Sequence, residues 1–366
     1  VTAFSQMSSK KTRDPFWDNA RFICIALVVA GHALQPMSRV SDVAYAVYLV
    51  IYTFHMPAFA IMSGYFTKSG APTRTSLKRV ITDLVVPYLI FETIWSLLSF
   101  AISGKLNLNY ASVSWTLWFL LALAVFRVII PYLALLRWPV SISIVMSVAA
   151  GYIPAIDSTF AMDRIIALMP FFVIGWALKD RGILKRADFF APRHPAVVVA
   201  ATALIASALT FALILAAPLR TDNMQRWFFF RESYVDLSLP DNIDPPIWGG
   251  LVRLGIIAIA LIMCWAFFTL APRREYRWTK LGAYTLYVYL LHTFVLFPVR
   301  EGKLPGQSHT ITAGLQPDWL WVILLIAGSI GVAFLLSSKP VRTLTRPLVE
   351  PRVTWLFKER SEERSA

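Results

Sequence analysis

The stretch FWDNARFICIALVVAGHALQPM, residues 16–37, decides how this chain is read. It is long enough to cross the hydrocarbon core of a bilayer, which takes about 20 mostly apolar residues. Yet it carries Asp18, Arg21 and His32 along that length. Ionisable side chains inside a span are costly and become functional candidates by default. From Arg21 to His32 the helix makes three turns plus about 20°, so the two side chains share one face, roughly 16 Å apart along the axis. Asp18 stands one turn before Arg21 on nearly the same face and is placed to pair with it. Such a stripe, cationic at one end and imidazole at the other, suits a long ligand with an anionic head and a reactive far end.

Outward from this span the same texture continues. Of 366 residues, 57% are hydrophobic and only 15% charged, whereas soluble chains are about a quarter charged. Nine further segments have the length or near-length of a span: 43–66, 80–102, 113–134, 138–154, 162–179, 196–217, 247–270, 281–299 and 318–337. The fifth span of the ten is short and the ninth is rich in tyrosine. Prolines at Pro57 and Pro87 are expected to kink the second and third spans. The predicted fold is an all-α integral membrane protein, a polytopic bundle of about ten transmembrane helices. The first apolar run extends past a signal-peptide core and shows no small-residue cleavage site, so it is read as the first span of the mature protein. The predicted organisation is a cytoplasmic N-terminal tail over 1–15, a membrane domain over 16–338, and a cytoplasmic tail of basic then mixed charge over 339–366.

A net charge of +14 raises nucleic acid as a partner, but the basic residues fall in short clusters between apolar runs rather than along one face. With the N-terminus inside and the spans alternating, inside segments hold 24 Lys and Arg and outside loops eight. That bias places both termini in the cytoplasm and explains the charge without an anionic polymer. The expected partner is the lipid bilayer, not nucleic acid. The two cysteines, Cys24 and Cys264, lie in apolar runs, which excludes a disulfide scaffold.

The other intramembrane ionisable residues are His55, Glu92, Arg127, Arg253 and His292. Each also has a plain structural reading. Arg21 can snorkel to lipid phosphates, lone histidines often bond neighbouring helices, and Glu92 is either a proton site or a partner for Arg127 or Arg253. Ser63 beside Gly64 reads as helix packing, and so does Cys24. In the longest outer loop, Pro218 to Pro246, the run Trp227-Phe228-Phe229-Phe230 reads as an aromatic belt at the headgroup level.

These residues resemble the membrane acyltransferase family 3. Arg21 and His32 are similar to the Arg-x10-His pattern of its first span, and Asp18-Asn19-Ala20-Arg21 to its Asp-x-x-Arg start. Phe54-His55-Met56-Pro57-Ala58-Phe59 leading to Ser63-Gly64-Tyr65, Lys78-Arg79 before Pro87-Tyr88, Trp118-Phe119-Leu120, Phe171-Phe172-Val173-Ile174-Gly175 and Tyr289-Leu290-Leu291-His292 extend the likeness over about residues 14–340. The His-Met-Pro form is most like the fucose 4-O-acetylase-like branch. Where the family often has a second basic residue a turn after the Arg79 position, this chain reads Val80-Ile81-Thr82-Asp83.

The resemblance implies transfer of an acyl group, usually acetyl from cytoplasmic acetyl-CoA, to a hydroxyl of a glycan or similar acceptor, with no metal. Acyl transfer needs a base for the hydroxyl proton and donors for the developing oxyanion. His32 is the expected base, or alternatively an acyl-carrying nucleophile. Arg21, with Asp18 beside it, is expected to hold the donor together with Lys78 and Arg79, because a guanidinium matches phosphate in a bidentate way. His55, Glu92, Trp118, His292 and Trp227 are the expected acceptor-side residues. A transporter or exporter of a glycan or small polar solute, with no acyl transfer, fits the buried ionisable groups equally well.

Overall fold

A computed structural model describes residues 14–182, 190–192, 194–239, 244–301 and 318–358. The expectations on the tail before Asp14 and on the end of the chain after Lys358, and part of the charge count between spans, concern residues outside this range. Fourteen α-helices follow one another among the described residues: α1 (Pro15–Leu34), α2 (Asp42–Phe66), α3 (Arg74–Val80), α4 (Val86–Ser103), α5 (Trp118–Leu133), α6 (Pro139–Ala150), α7 (Met162–Asp180), α8 (Pro195–Ile214), α9 (Ala216–Thr221), α10 (Gln225–Phe228), α11 (Pro245–Leu270), α12 (Thr285–Glu301), α13 (Asp318–Leu336) and α14 (Lys339–Val349). No β-strand is found among those residues; a single bridge joins Ser112 to Thr159.

Six helical stretches are long and apolar enough to cross a membrane: Asp42–Phe66, Arg74–Ser103, Pro195–Ile214, Pro246–Leu270, Thr279–Pro298 and Asp318–Leu336. The chain is accordingly a multi-pass, all-helical membrane protein. Two of the other expected spans form the shorter apolar helices α5 and α6, and residues 113–117 lie outside any helix. The last two, α1 and α7, have 20 and 19 residues but spend part of that length on Asp18 and Arg21 or on Asp163, Arg164, Lys179 and Asp180. Their charges keep length and apolarity alone from marking them.

Local chemistry sets the boundaries. Asp14 caps α1 by accepting the Phe16 N–H at 3.0 Å, with Pro15 in the first turn where its missing N–H costs nothing. Ser41 caps α2 through the Ala44 N–H at 3.2 Å. α3 runs into α4 through a wide π turn at Ile81–Val85. Pro87 lies just beyond it and has no N–H for the carbonyl one turn back, and the wide turn absorbs that missing bond.

α1 and α2 are the spine of the bundle. α1 packs on α2, α12 and α13, and α2 also packs on α7 and α8. The α2–α7 crossing is close: a Cβ on Gly64 would lie 2.0 Å from the Phe172 carbonyl oxygen, and one on Gly175 2.0 Å from that of Ile61. Both glycines let backbone touch backbone, as small residues do where membrane helices pack. At the periphery, α8 buries only Ala201 and Ala212 and turns Val199, Phe211 and Ile214 outward.

Candidate active site

Two cavities meet in the middle of the bundle. The inner one, at the end where α1 begins, measures about 750 Å³ and is lined by Arg21, Ile25 and Val28 of α1, by Met56, Phe59 and Ser63 of α2, and by Lys68, Arg79, Leu120, Leu123, Arg127 and Tyr289, among others. The outer one, at the end where α1 finishes, measures about 520 Å³ and takes in Val28, His32, Tyr52, His55, Met56, Trp118, Arg164 and Tyr289. Val28, Met56 and Tyr289 line both. One helix face, Arg21–Ile25–Val28–His32, therefore runs from the first cavity into the second, as the one-stripe reading of α1 requires.

At the inner end Arg21 lies 3.5 Å from Asp18 with its guanidinium 4.2 Å above the Phe66 ring. Asp18 is itself buried. Of the adjacent pair Lys78 and Arg79, only Arg79 faces this cavity. Lys78 is turned about a quarter of a circle away and lies over the Phe357 ring at 4.8 Å. Lys68 and Arg127 supply further cations, with Asp83 as the carboxylate in the lining. Between them the wall is aliphatic and aromatic.

At the outer end the His32 ring is partly exposed and lines the cavity, while its Nδ1 is buried without a hydrogen-bond partner. Its neighbour is the fully buried His292, with ring centroids 5.5 Å apart. Nδ1 of His292 donates to the Val288 carbonyl at 2.9 Å. That bond leaves Nε2, which has no partner, as the lone-pair nitrogen of the neutral ring. Nδ1 of His55 likewise donates to the Ile51 carbonyl at 2.8 Å, and the Tyr52 ring meets His55 edge-on. The partition is fixed by Tyr289, whose hydroxyl donates to the Thr116 carbonyl and accepts the Phe119 N–H at 3.3 Å.

The outer cavity is also where the backbone departs from ordinary geometry. Of the five non-glycine residues with positive φ among the described residues, Trp115 (48°), Ala161 (57°) and Phe230 (55°) line it. Left-handed conformations at such residues persist only where the surroundings impose them, and they gather at functional sites.

Two residues expected on the acceptor side line neither cavity. Glu92 pairs with neither Arg127 nor Arg253. Its carboxylate accepts the backbone N–H of Ser114 at 3.0 Å and its hydroxyl at 2.5 Å, which pins the loop before α5 onto α4, and it lines neither of the two cavities. Trp227 is fully buried, donates from Nε1 to the Ser238 carbonyl at 2.8 Å and stacks on Tyr234. Its neighbours Phe228, Phe229 and Phe230 line the cavity instead. Arg253 is buried beneath Phe230 and Tyr234, at 5.0 and 5.7 Å from their ring centres. Cys24 donates to the His55 carbonyl at 3.2 Å, a packing role.

The sequence reading missed Tyr289, Arg164 and Arg300. Arg164 and Arg300 stand at span ends, where they count only as loop charges. Tyr289 sits one turn before His292, a helical spacing that marked it as a neighbour of that residue.

Fold and site define a membrane-embedded helical protein with two abutting polar-ended cavities. Residues 14–338 match the family described as an acyltransferase domain, and the chain belongs to that family. Two curated relatives are both named nodulation protein NolL. That of Mesorhizobium japonicum is 30% identical over 183 residues, covering 45% of this chain and 47% of the relative. That of Sinorhizobium fredii is 41% identical over 86 residues, 23% of each. The chain spans less than half the length of these relatives. No solved structure gives a significant match.

Proposed function

We propose that the protein is an O-acyltransferase that moves an acyl group, acetyl in the first instance, from cytoplasmic acyl-CoA to a hydroxyl of a glycan or other glycosylated acceptor. The observation that carries this reading is the pair of cavities sharing Val28, Met56 and Tyr289, with Arg21 in one and His32 in the other on a single helix face. The inner cavity fits the donor: cations around its mouth suit phosphates, and the apolar wall suits the arm that leads to the thioester. The roughly 16 Å between Arg21 and His32 is of the order of that arm.

In this reading His32 takes the proton of the acceptor hydroxyl as its oxygen attacks the thioester carbonyl. The C–O bond forms, the C–S bond breaks, and the departing thiolate is reprotonated. His292 lies beside His32 with a lone-pair nitrogen to orient it or share its proton, and Trp118 and His55 shape the acceptor side. Asp18 steadies Arg21. We place the protein in the cell membrane, as ten spans with both termini in the cytoplasm, the membrane domain running over 16–338 between tails of 1–15 and 339–366.

The test is transfer of radiolabelled acetyl from acetyl-CoA by purified protein and by His32→Gln. Loss of a positioned base is expected to lower transfer by roughly 10²- to 10⁴-fold while the variant still inserts and accumulates. Full transfer by a well-expressed His32→Gln protein overturns the reading. Solute flux without any acyl donor would then favour a transporter.

A further inference from the structure

α14 starts two residues after α13 ends, and it is built unlike a span. Stepping about 100° per residue sorts its 11 side chains into three arcs. Val341, Arg342, Thr345 and Val349 share the arc that faces the bundle. Val349 is fully buried, Val341 packs on the core, and the Arg342 guanidinium lies 3.4 Å above the Tyr284 ring. Pro340, Leu344, Pro347 and Leu348 share the next arc, which is apolar, with Leu344 82% and Leu348 40% exposed. Lys339, Thr343 and Arg346 form the third, exposed and cationic.

The place of the helix follows from what it touches. It packs on α4, α12 and α13, and Tyr284 beneath it is followed by Thr285 and Leu286, which line the inner cavity. Past α14 the chain returns to α3, where Arg74 donates to the Lys358 carbonyl and Lys78 lies over Phe357. On the way Trp355 stands 81% exposed and Leu356 48%. The segment therefore lies at the inner end of the bundle, beside the mouth of the inner cavity.

An exposed apolar arc beyond the last span is costly against water. A helix lying in the plane of a membrane surface satisfies both outer arcs at once: the apolar one sinks to the border of the acyl chains and the cationic one stays among the headgroups. Tryptophan favours the same level. From Lys339 to Lys358 the chain holds five Lys and Arg against Glu350 alone, a net charge of +4. Arg346 is paired with Glu350 at 3.2 Å, but the potential of an anionic surface acts on the net charge of the segment.

We infer that α14 and the residues after it are a docking surface for an anionic leaflet, with Leu344, Leu348 and Trp355 at the acyl-chain border and the cations of the third arc toward the headgroups. The inner cavity then opens at headgroup level, under a segment that the leaflet itself holds in place.

The experiment uses the full chain, one copy per lipid nanodisc, with a fluorescent label on Leu344→Cys, on Thr343→Cys one helical step away, or on Val199→Cys of the apolar α8 as a reference for contact with lipid. Cys24 and Cys264 are buried, and the unaltered protein reports their background. The discs are phosphatidylcholine with brominated acyl chains, without or with about 30% phosphatidylglycerol as the anionic lipid. Bromine is expected to quench the label at Leu344→Cys about as strongly as at Val199→Cys and at least about threefold more than at Thr343→Cys. Phosphatidylglycerol should deepen the quenching at Leu344→Cys, and Lys339→Gln combined with Arg352→Gln should remove most of that gain.

Equal quenching at the two adjacent positions overturns the inference. So does a label at Leu344→Cys that is shielded from bromine and from aqueous iodide alike, which would mean that protein covers the arc, either another stretch of this chain or a second copy. Equal quenching with and without phosphatidylglycerol overturns the preference for anionic headgroups.

Discussion

The two cavities are built from different materials. Inside, cations ring a mouth and lead into a wall of Ile25, Met56, Phe59, Leu120 and Leu123, nearly all of it on regular helix. Outside, hydroxyls, imidazoles, indoles and guanidiniums crowd a smaller volume, and three residues of the wall hold left-handed backbone. An apolar tube with charge at one end grips a long molecule by its head and leaves the rest to slide. A polar, strained pocket fixes a small molecule in one orientation. The difference teaches that the bundle is asymmetric by task, one half for reach and the other for aim, and that the task changes hands at Val28, Met56 and Tyr289.

The sharpest way to break that division is to close the passage. Met56 is an unbranched, partly buried side chain that belongs to both walls, and a methionine adapts to its neighbours as no ring does. Met56→Trp should fill the junction and lower acetyl transfer by about a hundredfold, the cost of holding reacting atoms out of register. CoA binding, measured by calorimetry, should persist. Transfer at the normal rate through a blocked junction would mean that the two cavities do not serve one reaction.

A second experiment sharpens the inner half alone. Arg21→Gln removes the guanidinium from the mouth but leaves the His32 end of the helix untouched. The KM for acetyl-CoA should rise roughly tenfold, the size of a lost charge-assisted bidentate contact, with kcat changed little. A fall in kcat at constant KM would move Arg21 from donor binding to the chemical step.

How much of this stood in the sequence follows from what each residue's environment records locally. The α1 stripe was legible because helical periodicity and the cost of charge in lipid are both properties of one segment. The glycines of Ser63-Gly64-Tyr65 and Phe171-to-Gly175 were legible as motifs, but their meeting in one helix crossing is a tertiary fact. Glu92 was legible as a buried charge, while its partner Ser114 lies across a turn of chain that no periodicity predicts. In the Trp227–Phe230 run, aromatic character was legible and direction was not: short helical turns send Trp227 into the core and the three phenylalanines into the cavity. Arg164 and Arg300 escaped notice because a charge at a span end is ordinary, and only the fold brings the two to one pocket.

The smallest effect separates two adjacent residues. Lys78 and Arg79 form one basic pair in the sequence, but a single helical step of about 100° sends Arg79 to the inner cavity and Lys78 onto Phe357 in a separate hollow with Val349, Glu350 and Arg352. Arg79→Ala should raise the KM for acetyl-CoA about threefold, as a solvent-screened charge would, and the rise should shrink at high salt. Lys78→Ala should leave that KM alone and instead loosen the segment around Phe357, seen as faster proteolysis after α14. Equal rises in KM for the two variants would show that the donor grips the whole α3 turn rather than one face of it, and the inner cavity would then have to extend beneath the C-terminal segment.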